Sequence, residues 1–83
     1  MPVVAIVDGI KILFYNDDHP PAHFHAQFAE HDALIEIETL TIIAGSLPRS
    51  QYRKVLAWAQ PRKAALKAAW VMSRSDQHPG KIA

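Results

Sequence analysis

The 83 residues contain no cysteine. That excludes a disulfide framework, a thiol nucleophile and any zinc site built on thiolates. No apolar run approaches the ~20 residues that span a bilayer, and the opening MPVVAIVDGI lacks the basic stretch of a secretory leader. We therefore expect a cytoplasmic chain with no membrane association. Internal repeats and low-complexity segments are absent too. Nor is there a large excess of either charge: nine Lys and Arg against eight Asp and Glu leave a net of +1, with the five His taken as neutral. Apolar residues, by contrast, are plentiful. They make up 49% of the chain against 20% charged, which suits a folded domain and is too apolar for disorder. A chain this short builds one thin core and has little room for a deep cleft.

The near-neutral total conceals a division. Residues 1–45 carry seven acids and one base, Lys11, for a net of −6; residues 46–83 carry eight bases and one acid, Asp76, for a net of +7. Two consequences stand open. A basic face meets a polyanion or an acidic partner, or the acidic half packs beside the basic half and neutralises it.

Hydrophobic periodicity divides the chain at the same place. Val3 to Val7 is a short apolar run, and beyond Asp8-Gly9 the residues Ile10, Ile12 and Phe14 alternate with Lys11, Leu13 and Tyr15. An Asp-Gly pair between two such runs predicts a tight hairpin, because both central residues need positive φ. Prolines 20 and 21 make 16–22 a rigid loop. Phe24, Ala26 and Phe28 then share one strand face, with His23, His25 and Gln27 on the other. A fourth strand runs from Ala33 to Thr39, with Ile35 and Ile37 opposite in direction to Glu36 and Glu38, and Thr41 to Ala44 suits a short fifth.

From Gly45-Ser46-Leu47-Pro48 the period becomes helical, with Ser46 or Leu47 as cap and Pro48 in the first turn. Tyr52, Val55, Leu56 and Ala59 form one buried stripe. Gln60-Pro61 ends or kinks this helix, and a second, Ala-rich helix runs from Arg62 to about Arg74. The predicted architecture is α+β: an antiparallel β-meander of four to five strands over 1–44, a two-helix hairpin over 46–75 packed on one face, and a loose tail over 76–83.

Strand parity makes the histidines specific. Placing Phe24, Ala26 and Phe28 on the face of Ile35 and Ile37 requires paired residue numbers with an odd sum. A turn at Glu30-His31 sets that sum at 61. His25 then opposes Glu36, His23 opposes Glu38 and Gln27 opposes Leu34, with opposed Cβ atoms ~5 Å apart. Asp17, Asp18 and His19 can reach the same edge. Three readings follow. His19, His23 and His25 with a carboxylate bind a transition metal, as in a metal- or ligand-binding regulatory module. Alternatively, His23 or His25 is a general acid/base polarised by Glu36 or Glu38, with Arg49 or Arg53 binding an anion, as in a hydrolytic ribonuclease. In the third, His–Glu pairs decorate a solvated sheet face. The sequence requires no cofactor.

The second helix carries a stripe of Lys63, Lys67 and Arg74 with Trp70 among them. This is an ordinary exposed face whose Trp reaches up from the core, or a nucleic-acid contact that stacks bases on Trp70 and holds phosphates on Lys63 and Lys67. Its Ala-rich remainder offers more apolar surface than one sheet covers, which predicts a partner chain or a homo-oligomer.

The segments DGIKILFYNDDHPPAHFHAQF, ALIEIET and GSLPRSQYRKVLAWA resemble the bacterial domain-of-unknown-function family 4160. Asp18-His19-Pro20-Pro21 with His23-Phe24-His25 is the most specific match; Asp8-Gly9 and Gly45-Ser46-Leu47-Pro48 support it. The resemblance implies a small α+β protein encoded beside a protein of domain-of-unknown-function family 2442. Such pairs are similar to type II toxin–antitoxin modules, with this chain in the toxin position and a small antitoxin as partner. The motif positions carried over are Asp18, His19, Pro20, Pro21, His23 and His25. Three departures are visible. Ala69 stands where the family has Asn, the helix is basic rather than acidic, and Thr39-Leu40-Thr41 lacks the glycine usual after Glu38.

Overall fold

The structure, a computed structural model, describes residues 3–15, 19–74 and 82. Five strands, β1 (Val3–Val7), β2 (Ile10–Leu13), β3 (His23–Phe28), β4 (His31–Glu36) and β5 (Ile42–Gly45), form one antiparallel sheet in chain order. Asp8 and Gly9 turn β1 into β2 with φ of 49° and 80°, the two positive values that this hairpin demands. The fold is α+β, a five-stranded meander followed by helix.

Alternation sorts the strands into two faces. Ile10, Ile12, Phe14, Phe24, Ala26, Ala33, Ile35 and Ile37 are all fully buried in one cluster. Val55, Ala59, Leu66, Ala69 and Trp70 from the helical region join that cluster. The opposite face carries rows that cross the strands. Val3, Leu13, His25, Leu34 and Ala44 form one, and Lys11, Gln27 and Asp32 its neighbour.

The β3–β4 register differs from expectation by two residues. His23 pairs with Glu36, His25 with Leu34 and Gln27 with Asp32, so the sum is 59 rather than 61. The parity, and therefore the faces, are those expected. The turn moves because Phe28 pairs with His31 and Ala29-Glu30 makes the two-residue loop, with Ala29 in the left-handed region at φ 53°. Strand β4 consequently stops at Glu36, and the chain leaves the sheet before Glu38. There Leu40 N–H donates to the Glu36 carbonyl at 2.7 Å, and Glu36 N–H to the Thr41 carbonyl at 2.9 Å. Leu40 holds φ 58° although it is not glycine. Its side chain is 3% exposed, and the Tyr52 hydroxyl donates to its carbonyl at 2.5 Å. Burial of a leucine, ~1.5–3 kcal/mol, outweighs the ~1–2 kcal/mol of a left-handed residue. That is how this chain dispenses with the glycine.

The helical hairpin is corrected to one C-terminal helix. Segment α1 (Arg49–Ala59) continues through a 3-10 turn at Gln60–Arg62 into α2 (Lys63–Arg74). Gln60 (φ −52°, ψ −49°) and Lys63 (φ −56°, ψ −42°) both stay right-handed helical, so nothing reverses the chain. Pro61 has no N–H to give the carbonyl four residues back, and the backbone answers by tightening for one turn rather than breaking. The cap is also corrected. Pro48, not Ser46 or Leu47, stands at the N-cap with φ −57° and ψ 147°, without a side-chain cap bond, and its carbonyl accepts the first helical bond from Tyr52 N–H at 2.9 Å. Among the described residues no helix is long and apolar enough to cross a membrane. The loose tail expected over 76–83 lies, apart from Ile82, outside the described residues.

Candidate functional site

Alternation on β3 puts His23 and His25 on the face opposite Phe24 and Ala26, yet neither is solvated. His23 is 4% exposed and His25 8%, which departs from the surface-decoration reading. Their ring centroids are 5.3 Å apart. Tyr15, following β2, sets its ring edge-on to His25 at 4.3 Å and 85°, and Trp70 of α2 lies 5.0 Å from His23 at 51°. The result is a four-ring stack running from Tyr15 through the two imidazoles to the helix.

Hydrogen bonds orient the stack. His23 Nδ1 lies 2.8 Å from the Pro21 carbonyl. A carbonyl only accepts, so Nδ1 carries the proton, and in the neutral ring the basic lone pair sits on Nε2. The Pro20–Pro21 peptide bond is cis. Gln27 Nε2 donates to Asp32 Oδ2 at 3.0 Å and lies 3.4 Å from the Tyr15 hydroxyl. Asp32 Oδ1 is 3.8 Å from His25 Nδ1, beyond hydrogen-bond reach and within ion-pair reach only when the ring is charged.

The expected carboxylate partners are elsewhere. Glu36 opposes His23 in register, but its Oε1 accepts from Thr39 Oγ1 at 3.2 Å. Glu38 turns to the helix, where Lys67 Nζ donates to its Oε1 at 2.6 Å and Lys63 Nζ to its backbone carbonyl at 2.7 Å. The hydrogen bond and charge of Lys67, with a smaller contribution from Lys63, hold the Glu38 carboxyl below the ordinary carboxylate range. Asp32 occupies the place beside His25 that the expected register assigned to Glu36. Three members of the cluster, Tyr15, Gln27 and Asp32, were not among the residues singled out from sequence. Parity alone places Tyr15 and Gln27 on the histidine face; Asp32 joins only through the two-residue shift.

The basic residues divide in the same way. Lys63 and Lys67 serve Glu38, Lys54 Nζ lies 3.8 Å from Asp8, and Arg62 donates to the Trp58 carbonyl at 2.6 Å while lying 5.3 Å above its ring. Arg74 sits 5.4 Å from the centroid of Trp70. With Trp70 6% exposed between Arg74 and His23, little of its ring is presented for base stacking. Arg49 and Arg53 are exposed one turn apart at the start of α1. Packing of the acidic sheet against the basic helix therefore accounts for part of the charge division.

His19 is exposed, and Asp17 and Asp18 lie outside the described residues. Among the described residues no group of three or more His, Asp or Glu is arranged to hold a metal ion. The apolar surface left uncovered includes Ile6, 66% exposed on β1, Ile43, 44% exposed on β5, and Val71, 61% exposed on α2.

The family model described as a domain of unknown function (DUF4160) matches residues 9–71, more than half of the chain. No curated protein matches, and no solved structure matches.

Proposed function

The chain belongs to the domain-of-unknown-function family 4160, and from that premise we propose that it is a protein-interaction module: the toxin-like component of a two-gene, type II toxin–antitoxin-like system in the bacterial cytoplasm, neutralised when a small antitoxin binds it. The observation that carries the interaction reading is the placement of the uncovered apolar residues. Ile6 and Ile43 lie on β1 and β5, the outermost strands of the described sheet, and an outermost strand is where a sheet can be extended by another chain.

Hydrolysis of RNA by His23 and His25 draws less support. A general base must reach the proton that it takes, and both rings are nine-tenths buried or more. Nucleic-acid binding through Lys63 and Lys67 competes with their bonds to Glu38, whereas Arg49 and Arg53 are exposed at the start of α1.

The test is growth of a bacterial host after tightly induced expression of this chain alone, with the folded level checked. Growth arrest, relieved by co-expression of the neighbouring family 2442 gene, is the expected result. Abundant folded protein with unimpaired growth overturns the toxin role.

A further inference from the structure

Strand β1 pairs with β2 on one side, and no other strand lies against its second edge among the described residues. Its sequence, Val-Val-Ala-Ile-Val, contains no charge and no proline. Charge and proline are two of the usual devices that keep an edge from pairing with another chain, and a bulge, which this strand has at Val4, is a third. Ile6 projects from it, 66% exposed, and Val3, Ala5, Ile6 and Lys11 line a shallow apolar groove beside it. An edge of this kind is a pairing template unless something covers it.

Something does, at one point. The β1–β2 register skips Val4, the bulged residue, between Val3 opposite Leu13 and Ala5 opposite Ile12. The Val4 carbonyl accepts instead from the backbone N–H of Ile82 at 2.7 Å. Ile82 also packs its side chain, partly buried, against the core cluster that contains Val4. A residue 78 positions away in sequence thus supplies both the backbone donor and the branched side chain that an added strand would supply.

We infer that Ile82 is a plug on the β1 edge, and that without it this edge pairs with the β1 edge of a second copy of the chain. Self-pairing fits the strand. An antiparallel β1–β1 contact sets branched apolar side chains beside one another on both faces and brings no like charges together. It also covers Ile6, the most exposed of the large apolar residues among those described. A free ladder group next to an uncharged strand is the combination that natural edges avoid, and among the described residues Ile82 is what occupies that group here. This inference is independent of the toxin role.

The experiment compares the full chain with a chain ending at Lys81 and with Ile82→Asp, by light scattering across protein concentration and by amide exchange of Val3–Val7. The full chain is expected to be monomeric. Both variants are expected to dimerise at least about tenfold more tightly, with slower exchange in β1 as dimer forms. Adding Ile6→Lys to either variant should restore the monomer. Unchanged association in both variants overturns the inference, as does a dimer that Ile6→Lys leaves intact, because that dimer uses another face. A full chain that already dimerises through Ile6 overturns it as well. Circular dichroism establishes that each variant is folded; if the shortened chain is not, Ile82→Asp decides.

Discussion

The indole of Trp70 and the imidazole of His23 lie 5.0 Å apart, centroid to centroid, at 51°. Through this contact the last turns of the helix meet the start of β3, where His23 follows Pro20-Pro21-Ala22 and precedes Phe24-His25.

Because Trp70 is 6% exposed and makes this contact, Trp70→Ala is expected to cost about 3–5 kcal/mol. His23→Ala, which removes the donor to the Pro21 carbonyl, should cost about 1–3 kcal/mol. Urea unfolding measures both. If the histidines act by packing, any effect of His23→Ala or His25→Ala on growth should follow the amount of folded protein. A folded, abundant His25→Ala chain that has lost the effect would speak for catalysis.

Glu38 contributes an acid limb to stability, a small one because its pair with Lys67 is solvent-exposed and screened. Its folded-state pKa is depressed, chiefly by Lys67, so the stabilisation is fully present above the ordinary range of an unfolded Glu. It declines as pH falls through the folded value. Lys67→Met should move the Glu38 titration up toward 4.5 and flatten the loss of stability on acidification. Side-chain carboxyl chemical shifts followed by NMR give the first result, and thermal melts across pH give the second. A Glu38 titration that Lys67→Met leaves in place would contradict the contact.

Ala29 adopts φ 53° in the β3–β4 turn, where a Cβ is strained. Ala29→Gly is expected to stabilise the protein by up to about 1 kcal/mol, since relief of strain exceeds the added entropy of the unfolded chain. A lower urea midpoint would place the turn elsewhere, as at Glu30-His31.

Gly45 and Gly9 both have positive φ, 74° and 80°, but their surroundings differ. A Cβ at Gly45 would lie 2.0 Å from the Asp32 carbonyl oxygen, whereas nothing stands within 4 Å of one at Gly9. Gly9→Ala should therefore cost only the backbone strain, about 1–2 kcal/mol. Gly45→Ala should cost clearly more and displace the Asp32 backbone, to which Ser46 N–H donates at 3.2 Å. Comparing the two melts, with the His25 ring resonances as a local probe, tests both. Equal costs would mean that β5 is not so close to β4.

The residues themselves determined what depends on neighbours in sequence. Asp8-Gly9 specified a turn with two positive φ values because few other pairs tolerate them. Alternation specified which strand residues share a face, and so placed His23, His25, Tyr15 and Gln27 together. The stripe of Val55 and Ala59 specified the buried side of the helix. Only the tertiary structure decided the rest. Parity has a period of two, so sums of 59 and 61 satisfy it equally, and the choice fell to Ala29's left-handed turn. With that choice Asp32 replaced Glu36 beside His25, and Glu38 was released to Lys63 and Lys67. Pro61 is compatible with a break or a 3-10 turn, and the local backbone took the second. Burial of His23 depended on Trp70, more than forty residues away. Short-range sterics are written into adjacent side chains, whereas register, burial and ion pairing are settled only when distant segments compete for the same surface.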